Sequence, residues 1–263
     1  MDEPLFETTS EYPIEDIRRS QRYLLESAIS IKKILELSKI EYSLAFGTLL
    51  GAEKFKGFVP WDDDFDFLLL DDTYEQAINA LKRDLPAHLI VHDEGSDPNY
   101  FHAWARVKDL RTKIGIGDKY HEHNKLLKYN CLGIDLYKFT RIKANKFLEY
   151  KRTEAIKFFQ KKLRLGILSP DEARLEIQSI EKSYLDKNKL NLKDNWSWAF
   201  MLKLDCPIPE EDFLPLKKYE FEGNHFLGPK NPNSFLKSAY GSIVGLPDYQ
   251  ERKPRMKWVN FFE

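Results

Sequence analysis

Residues 60–67 read Pro60-Trp61-Asp62-Asp63-Asp64-Phe65-Asp66-Phe67, and the spacing of the carboxylates is what suggests chemistry. In an extended strand alternate side chains share a face, so Asp64 and Asp66 point together and Phe65 and Phe67 turn toward the core. Asp62 joins the acidic face if the extended geometry begins early. Two carboxylates about 7 Å apart along a strand repel each other unless a cation lies between them. Magnesium is the natural occupant, with manganese as the alternative, because it prefers oxygen ligands and keeps positions open for phosphate oxygens. A solvated acidic turn has the same composition, and most acidic runs are that. Two features weigh against it here. The acids interrupt a strand that is otherwise almost wholly apolar, where burial without a partner is costly. They also follow Gly47-Thr48, a turn whose backbone amides could hold a phosphate.

Asp135, in Gly133-Ile-Asp-Leu-Tyr137, is a lone acid between apolar strand residues and supplies a third carboxylate. It is either an edge acid facing water or the completion of a site for one or two metals. Arg106 and Lys108 alternate on Trp104–Lys108, share a face, and could neutralise a donor pyrophosphate. His121-Glu-His123 resembles a ligand pair without a third member and reads as a solvated loop. Of the five tryptophans, Trp61 adjoins the acids and is the best candidate wall for a quaternary ammonium, ahead of Trp196, Trp198 and Trp258. Gly115-Ile-Gly117 lacks the rest of a dinucleotide fingerprint. There is no phosphate-binding Walker loop, serine elbow or cysteine–histidine signature.

The elements that must position these groups are legible in part. Residues 14–39 carry Ile14, Ile17, Leu24, Ala28, Ile31 and Leu35 at helical spacing. Tyr42 to Phe46 reads as a strand broken by Gly47, then a helical turn over 49–55 stopped by Gly57 and Pro60. Residues 65–70 form the acid strand. Asp71 or Asp72 is expected to cap a helix bearing Tyr74, Ala77, Ile78, Leu81 and Leu85. Residues 88–93 and 101–108 read as paired strands around the turn-rich 95–99, and 133–139 as a further strand. A charged helix follows over 143–165, then a capping box, Ser169-Pro-Asp-Glu172, opens another. Proline and glycine make everything beyond 205 read as an irregular tail. The pattern predicts an α+β fold, with a core over residues 1–140 and a helical, irregular region over 141–263 packed on it and completing the cleft.

Composition narrows the class. Forty-one basic and 42 acidic side chains nearly cancel, so no global charge steers the chain to nucleic acid, and none is expected as a partner. Two distant cysteines, Cys131 and Cys206, have no metal-ligand spacing and point to a reducing compartment. Neither a signal peptide nor a transmembrane run is evident, so the expected location is cytoplasmic, with the inner membrane face as a peripheral alternative.

A Gly-Ser/Thr turn, an Asp-x-Asp strand and a third acid on a later strand are similar to the nucleotidyltransferase superfold. More narrowly, Gly47-Thr-Leu-Leu-Gly-Ala52 with Gly57-Phe-Val-Pro-Trp-Asp-Asp-Asp-Phe-Asp66 resembles the LicD family of choline-phosphate and ribitol-phosphate transferases. The resemblance continues at Gly133–Leu136, returns at Phe213–Leu216, Phe221–Gly223, Pro229, Tyr240-Gly241 and Leu246-Pro247, and is weakest over 143–204. It implies a mixed sheet flanked by helices. It also implies metal ligands at Asp64 and Asp66 with Asp62 nearby, Asp135 as third acid, and Gly47 and Thr48 at the donor phosphates. Lys54-Phe55 stands where the family often has Arg-His, which places Lys54 among the donor-binding candidates with Trp61, Arg106 and Lys108. Tyr137-Lys-Phe-Thr140 replaces the usual Phe-Pro-Leu-Asp.

The expected reaction moves a phosphoryl-linked group from a cytidine diphosphate (CDP) donor, CDP-choline first, to a glycan hydroxyl, releasing cytidine monophosphate (CMP). Teichoic acid, lipopolysaccharide or a capsule precursor would be the acceptor. A CDP-ribitol donor, an Asp-x-Asp glycosyltransferase, a pyrophosphate-releasing nucleotidyltransferase and a non-catalytic binding module are the competing readings.

Overall fold

The computed structural model describes residues 6–100, 102, 104–116, 126–142, 146–188, 197–200, 208–240 and 248–262. Helix α1 (Ile14–Leu37) buries Ile17, Leu24, Ala28, Ile31 and Leu35 of the expected stripe and leaves Ile14, its first residue, exposed. Strand β1 (Tyr42–Leu44) leads directly into helix α2 (Phe46–Phe55). The helix therefore begins three residues before the expected turn, and Gly47 and Thr48 sit in its first turn rather than in a loop. It stops at Lys56, a left-handed residue with φ 54° whose N–H bonds back to Gly51.

Strand β2 (Phe65–Leu70) is buried along its whole length. The expected aspartate cap on the next helix is not made. A 3₁₀ turn takes up Asp71–Thr73, helix α3 (Tyr74–Asp84) has Thr73 at its N-cap without a side-chain bond, and Asp71 instead meets Lys138 at 2.8 Å. The tighter turn moves the helix start past both acids, out of capping reach. Strands β3 (Leu89–His92) and β4 (Ala105–Asp109) pair antiparallel as the sequence suggests. Strand β5 (Thr112–Ile116) and the long β6 (Gly133–Ile142) follow.

Helices α4 (Lys146–Arg164) and α5 (Pro170–Asn188) form an antiparallel pair. The capping box is realised: Ser169 N–H donates to Glu172 at 2.8 Å and Glu172 N–H to the Ser169 hydroxyl at 3.3 Å. Strand β7 (Ser197–Phe200) pairs with the far half of β6, and β8 (Ile208–Pro209) pairs with β7.

The described residues beyond 205 hold far more regular structure than the proline and glycine content of this segment suggests. It holds helix α6 (Glu210–Phe213), a hairpin of β9 (Lys217–Phe221) and β10 (Asn224–Gly228), helix α7 (Pro232–Tyr240) and strand β11 (Met256–Phe261). The glycine lies at the reversal, where Glu222 and Gly223 both take positive φ, 48° and 71°, the pair a primed two-residue turn requires. Aromatic burial then outweighs local irregularity. Phe221 packs 4.9 Å from Phe58 and 5.3 Å from Phe65, ring centre to ring centre, so the hairpin forms one core with the acid strand. Strand β11 pairs with β5 in a separate two-stranded ladder.

The main sheet runs β1-β2-β6-β4-β3, with β2 and β6 parallel and the other pairs antiparallel. This is the α+β class read from the sequence, a mixed sheet with helices against it.

Candidate active site

The sheet register assembles the site. Asp66 on β2 faces Asp135 on β6, Asp135 faces Arg106 on β4, and Arg106 faces His92 on β3. Residues paired across a sheet project to one face, so two acids and a guanidinium stand side by side in one row. Asp62 and Asp64 lie on the same side as Asp66: Asp64 hydrogen-bonds to Asp62, and its charge acts on both neighbours. Asp63 turns away, as alternation requires, and accepts the Met256 N–H at 2.8 Å.

The row is electrostatically unbalanced. Asp66 is 5% exposed, and its Oδ1 has no hydrogen-bond partner. Burial, then the Asp64 charge, pushes the Asp62 and Asp66 carboxyls well above the usual carboxylate range. Burial and Asp64 also raise Asp63, to about 7. The counter-charges are few. Arg106 Nε donates to Asp135, whose Oδ1 also takes the Trp104 indole N–H at 2.6 Å, and Arg255 donates to Asp64 at 2.6 Å. A buried carboxylate oxygen without a partner, among mutually repelling acids, is a donor set that fits a divalent cation. As the side chains stand, with Asp64 turned onto Arg255, no three described His, Cys, Asp or Glu side chains converge as metal ligands.

Gly47 and Thr48 brace the acids from α2. A Cβ on Gly47 would lie 2.5 Å from Asp62 Oδ2, so only glycine lets that carboxylate sit against the helix. The Thr48 hydroxyl accepts the Asp66 N–H at 2.9 Å. The N-cap, Ala45, offers no side-chain acceptor to the first-turn N–H groups of α2.

The other sequence candidates are placed differently from one another. Lys54 is exposed in the last turn of α2, about 9 Å along the axis from Thr48, and touches none of the acids. Trp61 is buried against Phe6, 6.1 Å between ring centres, with the Arg252 guanidinium 5.8 Å over its ring, so it is no open wall. The aromatic surface beside the acids is a strip the sequence did not single out: Trp104 lies 5.0 Å from Tyr137, and Tyr137 5.3 Å from Phe46. Arg106 and Lys108 do share a face, but Arg106 holds Asp135, and Lys108 is buried with its ammonium on the Cys131 carbonyl at 3.0 Å. Trp258 lies on β11 with its indole against Gly115, away from a wall over the acids. His121, His123 and Trp196 lie outside the described residues, as do Gly117, Cys206, Gly241, Leu246 and Pro247; of Trp198 only the backbone, in β7, is described.

Lys108 has a measurable consequence. Burial, then the Arg106 charge, pushes its ammonium down to about 8 from 10.5. Between those values the unfolded chain binds the proton and the folded chain does not, so stability rises with pH across that window. Below about 8 the penalty is fully present. The rise should total roughly 3 kcal/mol, at about 1.4 kcal/mol per pH unit. Urea unfolding at pH 8, 9 and 10 should show about 2 kcal/mol of this rise in the parent chain and none of it in Lys108→Met. Parallel curves for the two would place the ammonium in water.

A mixed sheet with two acids in register on parallel strands, more acids leading into the first, and a Gly-Thr helix start behind them is the arrangement that the resemblance to nucleotidyltransferases implies. Residues 39–165 match the family described as LicD/FKTN/FKRP, nucleotidyltransferase domain. The matched span runs from the approach to β1 to the end of α4 and contains all four acids. The lipopolysaccharide cholinephosphotransferase LicD of Haemophilus influenzae is 27% identical over 90% of this chain and 95% of its own length. An uncharacterised protein of Rickettsia prowazekii is 28% identical over 40% of this chain and 45% of its own. Among solved structures, terminal uridylyl transferase 4 from Trypanosoma brucei with bound GTP aligns with a TM-score of 0.23 and 8% identity, over 56% of this chain and 44% of that one.

Proposed function

We propose that this protein is a metal-dependent phosphotransferase that moves phosphocholine from CDP-choline to a glycan hydroxyl and releases CMP. The observation that carries the reading is the in-register pair of Asp66 and Asp135, with an unpartnered buried oxygen on Asp66. The similarity to a relative whose name describes choline-phosphate transfer to lipopolysaccharide supports the transferred group and favours a lipopolysaccharide-type acceptor over teichoic acid or a capsule precursor. No described helix is long and apolar enough to cross a membrane.

Asp62, Asp64 and Asp66 would hold magnesium, or manganese in its place, with Asp135 beside them. When bound, the ion supplies charge compensation for the phosphates as the leaving group departs. The protein's own part begins with the uncapped amides at the start of α2, which face anions favourably. The acceptor oxygen then bonds to the phosphorus nearer choline while that phosphorus parts from the oxygen bridging to CMP. The hydroxyl proton passes to a carboxylate of the Asp66–Asp135 pair; at Asp66 burial, then the Asp64 charge, favours its uptake. Trp104 and Arg106 keep Asp135 in place for this.

The strip Phe46–Tyr137–Trp104 replaces Trp61 as the surface for the trimethylammonium group, through the attraction of a cation to ring faces. Calorimetry in magnesium tests this choice. CDP-choline should bind more tightly than CDP-ribitol, and Trp104→Ala should erase the difference. Binding of the ribitol donor alone would replace choline with a polyol and leave the acid site standing.

A further inference from the structure

The charge pattern raises a question that residues 39–165 alone do not answer: which basic group meets the donor's phosphates. The two candidates on β4 are committed, Arg106 to Asp135 and Lys108 to the Cys131 carbonyl. Among the described residues, the basic side chain that touches the acid row and yet stays largely exposed is Arg255, with 71% of its side chain open to solvent. It approaches from the far end of the chain. The Met256 N–H anchors that segment on the buried Asp63, and β11 fastens it to β5. The fixed backbone presents the guanidinium to Asp64, 191 residues away in sequence, at 2.6 Å.

This contact occupies the oxygen a metal would need. Asp64 is where the acid row meets an exposed cation, whereas the Asp66 oxygen next to it is buried and has no partner. A guanidinium and a divalent ion sharing the Asp64 carboxylate repel each other, so each weakens the other's hold. Arg255, long and solvent-exposed, can swing away at little cost, and a planar fork released beside bound phosphates is suited to hold them in pairs of hydrogen bonds.

We propose that Arg255 exchanges partners: it neutralises Asp64 in the empty protein and binds a diphosphate oxygen of the nucleotide donor once a divalent cation takes Asp64. The inference rests on the metal-and-donor reading above and adds a donor-binding residue from outside the matched family domain. It also makes cation and donor loading mutually supporting, because the ion frees the group that the donor needs.

The test uses the full-length protein as parent, Arg255→Ala and Arg255→Lys, with two probes read by calorimetry: manganese alone, and CDP in the presence of magnesium. Arg255→Ala should bind manganese roughly tenfold more tightly, since the competing cation is gone, and CDP roughly tenfold or more weakly, since a charge-assisted contact is lost. Arg255→Lys should fall between the parent and the alanine variant on both. Affinities that stay unchanged, or that fall together as they would if Arg255 only fastened β11, overturn the exchange, as does a shift in one probe without the other. A parent chain that binds no CDP overturns the donor reading itself, whereas a parent that binds CDP with a contrary variant pattern overturns only the role of Arg255.

Discussion

Asp66→Asn should lower turnover by roughly 100-fold or more while leaving the protein at least as stable as its parent at neutral pH. The two halves of this expectation have one cause. Asp66 is buried among Asp62, Asp64 and Asp135, and its charge is unfavourable to the fold. The isosteric amide removes that repulsion without changing volume, so folding does not suffer. It also removes the negative charge that the reaction needs, so catalysis does. A residue kept for structure shows the reverse, with stability falling first. Turnover assays paired with urea unfolding check the two halves together. A variant with near-normal turnover, or one that fails to fold, would remove Asp66 from the proposed role.

Phe221→Ala should cost about 3–5 kcal/mol of stability. Phe221 is fully buried, and its ring meets Phe58, Phe65 and Phe226 at 4.9, 5.3 and 6.0 Å between centres. Phe65 lies between Asp64 and Asp66, so the cavity would open directly behind the acid strand. Activity should therefore fall with stability, unlike the pattern for Asp66→Asn. The shift in urea midpoint measures the cost. A loss under about 1 kcal/mol would mean that the β9–β10 hairpin does not share the core with β2.

These two residues mark what the sequence does and does not reveal. The acid strand was legible because a period of two separates Asp62, Asp64 and Asp66 from Phe65 and Phe67 without any tertiary information. Asp135 was legible as a lone acid in an apolar strand. Its register opposite Asp66 was not, since pairing between strands far apart in sequence leaves no local trace. The same limit explains Arg106 and Lys108. Alternation places them on one face correctly, but only the fold shows that Asp135 and the Cys131 carbonyl are waiting there.

Trp61 is near the acids in sequence but not on their open side, because the chain turns its ring inward against Phe6. Trp104, whose indole does reach Asp135, lies 31 positions from it. Beyond 205 the prolines and glycines speak only to local geometry, while Phe221 and Phe226 order the hairpin through contacts with Phe58, Phe65 and Phe67. A primed-turn signal at Glu222-Gly223 between aromatic-rich flanks was the available clue. Arg255 left none, since a single arginine near the end of the chain is unremarkable until β11 brings it to Asp64.

The most direct measurement follows the phosphorus. CDP-choline labelled with phosphorus-32 in the phosphate next to choline is incubated with the protein, magnesium and a lipopolysaccharide-type glycan acceptor. Label should appear on the glycan together with choline, and the CMP released should be unlabelled. Label that stays wholly with the nucleotide, or a glycan that gains choline without phosphorus, would contradict phosphotransfer at the Asp66–Asp135 site.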